Sequence, residues 1–318
     1  MKTIQTLVAA EMEALAAQVS ALLQSDSRLL QEISQHIFQT PGKQVRPMFV
    51  FLAAGACGGI TPKALRGAVL VTLLHQASLL HDDVVDEATH RRSKPTVNAA
   101  WSNKIAVLFG DYLLAKALHL PTQHQDHDLL ALIVETSQVM SEGELRQLAH
   151  ARQYTTTETE EVYLGIIYKK TAHLFGTCLA IGATAADASD TQVDTLRQAG
   201  EQLGMAFQLK DDWFDYSSEK LDKPIGMDPR AGYLTLPLIH ALQQAPTQKQ
   251  QELLQTIKHH SNDPKKQQEV LTLVRQSPGM DYTRQKMCQY QQKALDALVH
   301  LVASPYQQAL TALIQHII

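Results

Sequence analysis

Two acidic clusters with the same spacing limit what this chain can fold into. Each reads Asp-Asp-x-x-Asp, at residues 82–86 and 211–215, inside an apolar stretch with helical periodicity. On a helix the first and last aspartates of such a cluster stand one turn apart on one face, with Cβ atoms roughly 5–6 Å apart. Carboxylates so close repel each other, by about 4 kcal/mol for a pair 4 Å apart at an effective dielectric of 20. The spacing therefore predicts helices that keep these side chains for a ligand rather than for stability.

A divalent cation would convert this repulsion into binding. The clusters supply only oxygen ligands, and no thiolate or imidazole pattern accompanies them. Such a set favours Mg²⁺, which proteins hold through one or two carboxylates together with substrate phosphates. One cluster alone could be a solvated helix face. Because the cluster is repeated, we predict two long helices that present matching faces to a shared cavity.

Helical periodicity extends over nearly the whole chain and predicts an all-α fold. Apolar residues recur at helical spacing from Ile4 to Val19 and from Ile105 to Leu118, and Thr61-Pro62 is a typical helix start. Alternating strand patterns and Ser/Gly-rich linkers are absent from the sequence. We therefore expect one domain over residues 1–318, a bundle of long antiparallel helices around a central cavity, with residues 120–127 in a turn.

Composition narrows the class of protein. A hydrophobic content of 45% with 19% charged residues is ordinary for a soluble globular chain, and a net charge of −4 argues against nucleic acid as a partner. Cys57, Cys178 and Cys288 are scattered and odd in number, which favours the reducing cytoplasm over a disulfide framework. The most apolar run, residues 68–80, is too short and too polar to span a bilayer.

Cationic side chains lie beside both acidic clusters. Taken singly, each would be an ordinary surface or core residue. Together with six aspartates in a net-negative chain they predict a polyphosphate site, in which metal ions bridge carboxylate to phosphate and the cations take the remaining oxygens. Such a site would stabilise a departing diphosphate by electrostatics. The cationic residues are Lys43, Arg46, His75, Arg91, Arg92, Lys169, Lys170 and Lys223.

The combination resembles the trans-isoprenyl diphosphate synthases, also called polyprenyl synthetases, from about Gly42 to Pro237. The matching motifs follow the order of the family: Gly42-Lys43 with Arg46-Pro47, His75, the first aspartate-rich motif with Arg91-Arg92, Phe109-Gly110-Asp111, Gly143-Glu144, Lys170-Thr171, Phe207-Gln208 with the second aspartate-rich motif, and Thr235-Leu236-Pro237. The resemblance implies the isoprenoid synthase fold and head-to-tail condensation of isopentenyl diphosphate with an allylic diphosphate. It also implies three Mg²⁺ ions with substrate bound, a homodimer, and peripheral membrane contact for product release.

The resemblance also implies a role for each matching residue. The diphosphate of isopentenyl diphosphate would be held by Lys43, Arg46, His75 and Arg92. The allylic diphosphate would be contacted by Arg91, Lys170, Gln208 and Lys223, with Thr171 beside the reacting carbon. The carbocation would be stabilised by Thr171, Gln208 and backbone carbonyls. The main metal ligands would be Asp82, Asp86 and Asp211, supported by Asp83, Asp212 and Asp215.

The chain departs from the family pattern at three positions near the expected site. Tyr233 stands where a lysine is frequent, which puts one allylic contact in doubt. Gln44 replaces a common arginine, and Asp222 precedes Lys223 where glycine is usual. All six aspartates are kept, so we expect an active enzyme.

Product length is predicted from the residues one turn before the first motif. In this family a bulky aromatic residue there stops elongation early, whereas this chain has Ala77 and Ser78. The next residue that could stop elongation is Leu74, one turn further down the helix. We therefore predict a C30–C40 product, with C20 as the alternative. Alternatively, Ala77 and Ser78 could be small because they pack against a neighbouring helix, with no role in product length.

Other functions fit fewer of the motifs. A terpene cyclase would lack the isopentenyl site that Lys43, Arg46 and His75 are expected to form. A non-catalytic partner subunit would be expected to lose aspartates. His81-Asp82 resembles the doublet of metal phosphohydrolases, but that function leaves the second acidic cluster unexplained.

Overall fold

The computed structural model describes residues 2–39, 42–91, 94–153, 160–217, 226–259 and 263–318. Within these ranges the chain is almost entirely helical, which confirms the predicted all-α class. In chain order the helices are α1 (Lys2–Leu7), α2 (Ala9–Leu22), α3 (Arg28–Phe38), α4 (Val45–Cys57), α5 (Pro62–Val85), α6 (Val97–Ala100), α7 (Asn103–Gln123), α8 (His127–Gln153), α9 (Glu160–Ile167), α10 (His173–Ala185), α11 (Asp190–Tyr216), α12 (Met227–Ala231), α13 (Leu236–Gln244), α14 (Thr247–His259), α15 (Pro264–Gln276), α16 (Gly279–Leu298) and α17 (Pro305–Ile317).

Two short elements interrupt this helical pattern. Strands β1 (His90–Arg91) and β2 (Lys94–Pro95) form an antiparallel hairpin directly after α5. A π-helical turn, Tyr168–Ala172, connects α9 to α10. Single π turns are frequent at functional sites, and this one carries two of the predicted site residues.

The described chain forms two compact units. The first contains Met1–Ser137, Thr177–Arg197 and His300–Leu313, and the second contains Gln138–Gly176, Gln198–Val299 and Ile314–Ile318. The first acidic motif belongs to the first unit and the second motif to the second unit. The single domain expected over residues 1–318 stays a prediction.

Helix α5 occupies the centre of the first unit and packs against α2, α4 and α7. It begins as the sequence predicts: Pro62 is at the first position, and the hydroxyl of Thr61 accepts the N–H of Ala64 at 3.1 Å. Apolar residues around most of its circumference are buried, as in a helix enclosed by others. This packing gives the acidic motif at its C-terminal end a rigid base.

Helix α7 extends further than the sequence indicated. Residues 120–127 were expected to form a turn, but α7 continues through Pro121 to Gln123. A proline removes one backbone hydrogen bond, and so close to a helix end that loss affects only the last turn. The predicted first helix is likewise divided at Val8 into α1 and α2.

Two apolar clusters form the core of the second unit. One surrounds the fully buried Tyr216 with side chains from α13, α14 and α15. The other contains Tyr163, Ile167, Met205 and Leu209, and so joins α9 to α11. This second cluster fixes α9 beside the helix that carries the second acidic motif.

Among the described helices, none is long and apolar enough to cross a membrane.

Candidate active site

The first acidic motif lies at the C-terminal end of α5. The N–H of Asp86 donates to the carbonyl of Asp82 at 2.8 Å, so the two residues are one helical turn apart, as predicted. Asp82 is half-buried and Asp86 is exposed. These two carboxylates are therefore accessible to a ligand.

The middle aspartate of this motif has a different environment. Asp83 is buried, and the guanidinium of Arg91 donates to both of its carboxylate oxygens, at 2.8 to 3.2 Å. The side-chain amide of Asn98 also donates to the backbone carbonyl of Asp83 at 3.2 Å. The hairpin after α5 thus returns a cation to the motif. Bidentate arginine–carboxylate pairs are strong and geometrically specific, so Asp83 orients Arg91.

The isopentenyl half of the predicted site is partly assembled in the first unit. Nη1 of Arg46 on α4 lies 3.0 Å from Nε2 of His75 on α5, which brings these two predicted ligands together. Lys43 is exposed just before α4, and Gln44 adopts a left-handed backbone with φ 47°. Arg92 lies outside the described residues.

Helix α7 meets α5 at the base of the first motif. A Cβ on Gly110 would lie 2.3 Å from Nε2 of His81, so a larger residue would displace the imidazole from this position. The same nitrogen lies 3.2 Å from the carbonyl oxygen of Val107 and 3.3 Å from a carboxylate oxygen of Asp111. Two residues of the Phe-Gly-Asp motif therefore fix the helix turn that precedes Asp82.

The second acidic motif lies near the C-terminal end of α11. Asp211 is exposed, whereas Asp212 is buried. Asp212 accepts hydrogen bonds from the hydroxyl of Tyr163 and, at 2.8 Å, from the amide of Gln208. Burial raises the pKa of Asp212 to about 7, and the nearby Asp211 and Asp215 add to this rise. Burial and Asp212 also hold the pKa of Tyr163 well above its usual value.

The last aspartate of this motif fixes the segment that follows it. The carboxylate of Asp215 accepts the N–H groups of Met227 at 3.0 Å and Asp228 at 2.9 Å. Its pKa is nevertheless raised, chiefly by burial, with Asp211 adding to the effect. Asp215 therefore positions α12. Lys223 lies outside the described residues.

Asp228 adds a fourth acidic side chain to this motif. Its pKa lies well above the usual value because of burial and the charges of Asp212, Asp215 and Asp211, and Lys170 partly opposes the rise. Tyr233, which stands where the family often has lysine, donates its backbone N–H to the carbonyl of Asp228 at 2.9 Å. An aspartate beside a glycine turn gives no periodic signal, so sequence analysis missed it.

The π turn brings Lys170 and Thr171 to the second motif. Nζ of Lys170 forms an ion pair of 2.9 Å with Glu144 of α8, and the hydroxyl of Thr171 donates to the amide oxygen of Gln208 at 2.8 Å. The backbone of the turn lies close to two helical glycines. A Cβ on Gly143 would lie 2.8 Å from the nitrogen of Lys170, and one on Gly204 would lie 2.4 Å from Cα of Ala172. These glycines let the turn pack closely against α8 and α11.

The three predicted chain-length residues share α5 below the first motif. Leu74 and Ala77 are buried, and Ser78 is half-buried with its hydroxyl bonded to the carbonyl of His75 at 2.9 Å. No aromatic side chain occurs at these positions. Their role in chain length stays a prediction.

The donor set fits a hard divalent cation. The accessible ligands are carboxylate oxygens, and mutual repulsion in the second motif is the electrostatic condition that such a cation relieves. Within the described ranges, no three Asp, Glu, His or Cys side chains are placed to hold a metal ion by themselves. Since Mg²⁺ is usually bound by one or two carboxylates plus substrate phosphates, a protein-only cage is not required.

Comparisons with known proteins agree with this geometry. The profile of the polyprenyl synthetase family matches residues 27–274. The chain is 35% identical over 312 residues to octaprenyl diphosphate synthase of Haemophilus influenzae, covering 98% of this chain and 94% of that protein. It is 37% identical over 294 residues to the all-trans-nonaprenyl-diphosphate synthase (geranyl-diphosphate specific) of Rhodobacter capsulatus. That match covers 92% of this chain and 89% of the relative.

A solved structure supports the same assignment. The polyprenyl synthase of Caulobacter crescentus, complexed with calcium and isoprenyl diphosphate, superposes with a TM-score of 0.92 at 31% sequence identity. The match covers 99% of this chain and 96% of that chain. The all-α architecture is therefore that of the isoprenoid synthases.

Proposed function

The chain belongs to the polyprenyl synthetase family, and from this premise we propose how its residues bind and join two prenyl diphosphates. It is a long-chain polyprenyl diphosphate synthase, a prenyltransferase that depends on divalent cations. The observation that carries the assignment is full-length similarity to such synthases, with every aspartate of both motifs kept. We propose Mg²⁺ as the cation and three ions in the substrate complex.

The isopentenyl substrate would be bound by cations of the first unit. We propose that Lys43, Arg46, His75 and Arg92 hold its diphosphate. The contact between Arg46 and His75 supports this role because it places a guanidinium beside an imidazole that are both proposed ligands of the diphosphate. Neutralising this diphosphate would leave the double bond of the substrate as the nucleophile.

The allylic diphosphate would be activated by both motifs. Asp82, Asp86 and Asp211 would be the main ligands of the metal ions, which supply positive charge for the departing diphosphate when bound. Asp83, Asp212 and Asp215 would support them by orienting neighbouring groups. Arg91, Lys170 and Lys223 would take further phosphate oxygens, so that the allylic C–O bond can break.

The allylic carbocation would be stabilised beside the π turn. We propose that the hydroxyl oxygen of Thr171, with Gln208 behind it, faces this charge. The double bond of isopentenyl diphosphate then attacks the cation, and a proton passes to the released diphosphate. Exclusion of water is essential because water would capture the cation.

We propose a product of six to eight isoprene units. Small residues at 77 and 78 favour elongation past C20, and the named relatives are octaprenyl and nonaprenyl synthases. C20 remains the alternative product. A homodimer, peripheral contact with membranes during product release and a cytoplasmic location stay predictions.

Product analysis tests the proposed function. The purified chain would be incubated with Mg²⁺, radiolabelled isopentenyl diphosphate and dimethylallyl, geranyl or farnesyl diphosphate, and the dephosphorylated products would be sized. We expect C30–C40 polyprenols from the chain alone, and none in excess chelator. A C20 product would overturn the proposed length. Activity that appears only with a second protein would show a partner-dependent synthase.

A further inference from the structure

Four side chains of the second unit form one continuous line of hydrogen bonds. The hydroxyl of Tyr163 donates to Oδ2 of Asp212, and Nε2 of Gln208 donates to Oδ1 at 2.8 Å. At the other end of the amide, Oε1 of Gln208 accepts the hydroxyl of Thr171 at 2.8 Å. Tyr163, Asp212 and Thr171 are all buried, so water cannot readily replace these bonds.

The direction of each bond follows from the carboxylate. In the structure Oδ1 of Asp212 accepts from the amide nitrogen of Gln208, and an amide has one donating and one accepting end. Gln208 must therefore present its NH₂ group to Asp212 and its oxygen to Thr171. The hydroxyl of Thr171 has a single proton, and that proton goes to Gln208. Thr171 can then offer only oxygen lone pairs to any other neighbour.

Thr171 could not stabilise a cation if the side-chain amide of Gln208 had the opposite orientation. If the amide of Gln208 were reversed, its NH₂ group would donate to Thr171, and the hydroxyl proton of Thr171 would turn outward. An outward proton repels positive charge, whereas outward lone pairs attract it. The orientation of one amide therefore decides the sign of the interaction.

Tyr163 lies at one end of this line of hydrogen bonds and has no role in the function proposed above. Its ring packs in the apolar cluster with Ile167, Met205 and Leu209, which leaves the hydroxyl directed at Asp212. Removing that hydroxyl would leave Oδ2 of a buried carboxylate without this donor, and the carboxylate could then rotate away from Gln208.

We propose that Tyr163 is a positioning residue, which through Asp212 and Gln208 makes Thr171 present oxygen lone pairs to the allylic carbocation. The proposal rests on the proposed function, since it specifies how the same site treats its charged intermediate. Tyr163 itself need not touch the substrate.

A double-mutant cycle tests this role in the full-length enzyme. Tyr163→Phe and Thr171→Val are made singly and together, and steady-state rates are measured with farnesyl and isopentenyl diphosphates. Because the hydroxyl of Tyr163 donates to a buried carboxyl group, we expect Tyr163→Phe to lower kcat roughly 10-fold, which corresponds to about 1.4 kcal/mol. The KM for isopentenyl diphosphate should stay within about 2-fold, because its proposed ligands lie in the first unit. In the Thr171→Val background the same change should lower kcat by less than about 2-fold.

A matched control is available five residues along the chain. Tyr168 packs at the edge of the same apolar cluster, and its hydroxyl donates to Glu201 at 2.9 Å, outside the line of bonds. Tyr168→Phe should therefore change kcat by less than about 2-fold both in the wild-type background and in the Thr171→Val background. Comparable losses from both tyrosine variants would indicate a packing role and overturn the proposal.

Each remaining outcome is decisive. Equal losses for Tyr163→Phe in both backgrounds, or no loss in either, would overturn the proposal. If Tyr163→Phe does not fold, Asp212→Asn enters the same cycle, because asparagine keeps the volume but no longer accepts at both atoms. Part of its effect should then vanish in the Thr171→Val background, and full additivity would overturn the proposal. A wild-type chain without condensation activity would instead refute the proposed function.

Discussion

The two aspartate-rich motifs have the same spacing but opposite electrostatics. In the first, the buried Asp83 is paired with a full cation, Arg91. In the second, the described residues that donate hydrogen bonds to the buried Asp212 are the neutral Tyr163 and Gln208. The charge of the first buried carboxylate is therefore balanced by a cation, whereas burial and the neighbouring acids raise the pKa of the second.

The elements that follow α5 and α11 explain this difference in charge between the two motifs. After α5 the chain turns into a hairpin that returns an arginine to the motif. After α11 it turns into α12, which returns Asp228, another acid. Identical motifs can thus differ in charge balance, and the second motif has the greater need for bound cations.

The largest expected effect comes from the accessible aspartates. Asp82→Ala and Asp211→Ala should each lower the condensation rate by at least about 10²–10³-fold, because each removes charge stabilisation from the departing diphosphate. Rates measured across Mg²⁺ concentrations should show the greater increase in metal requirement for Asp211→Ala. Asp194→Ala, at an exposed site on the same helix, is the control and should keep its activity. Near wild-type rates in both variants would disprove the metal-ligand assignment.

The two motifs are also predicted to differ in their effect on product length. The elongating chain is predicted to pass beneath the first motif, so Ala77→Phe should shorten the main product by several isoprene units. Overpacking of this buried position should also cost about 1–3 kcal/mol of stability. Product sizing checks the first effect, with Ala115→Phe on the exposed face of α7 as control. An unchanged product distribution would contradict the predicted role of Ala77 in chain length.

Thermal unfolding in chelator compares the two buried aspartates directly. Asp83→Asn removes the charge partner of Arg91, and we expect a loss of about 1–2 kcal/mol, discounted because Arg91 is partly exposed. Asp212→Asn removes a charge from a crowded acidic group, so it should cost less or raise the melting temperature. Equal losses in the two variants would mean that the electrostatic contrast has no effect on stability.

The smallest expected effect concerns the shape of the cation beside Asp83. Arg91→Lys keeps the charge but loses the bidentate contact. The stability change should be below about 1 kcal/mol, with a rise of a few-fold in KM for the allylic substrate. Arg28→Lys, in an exposed ion pair with Glu32, should change neither quantity. If Arg91→Lys also changed neither, the bidentate geometry would be irrelevant to binding.

Local patterns in the sequence predicted much of the fold and part of the site. Helical periodicity indicated the all-α class, and Thr61 before Pro62 marked the start of α5 correctly. The motifs identified the family, and the pairing of Arg46 with His75 agrees with a shared substrate role. These features depend on residues within a few turns of each other or on motifs that stand out individually.

The partners of the buried aspartates leave no signal in the local sequence. Tyr163 is 49 positions from Asp212 and belongs to an apolar pattern that indicates only core packing. Asp215 looked like a metal ligand alone, yet it also caps the segment that brings Asp228 into the motif. Contacts of this kind depend on how separate helices pack, which no local spacing encodes.

The sequence by itself determined that six aspartates stand at turn-spaced positions on two helices, because helix geometry converts spacing directly into a shared face. Only the tertiary structure decided which of them are buried and what sign of charge lies beside each. The burial of a carboxylate and the electrostatic field around it arise from packing between distant segments, and a carboxylate in a dry environment responds strongly to that field.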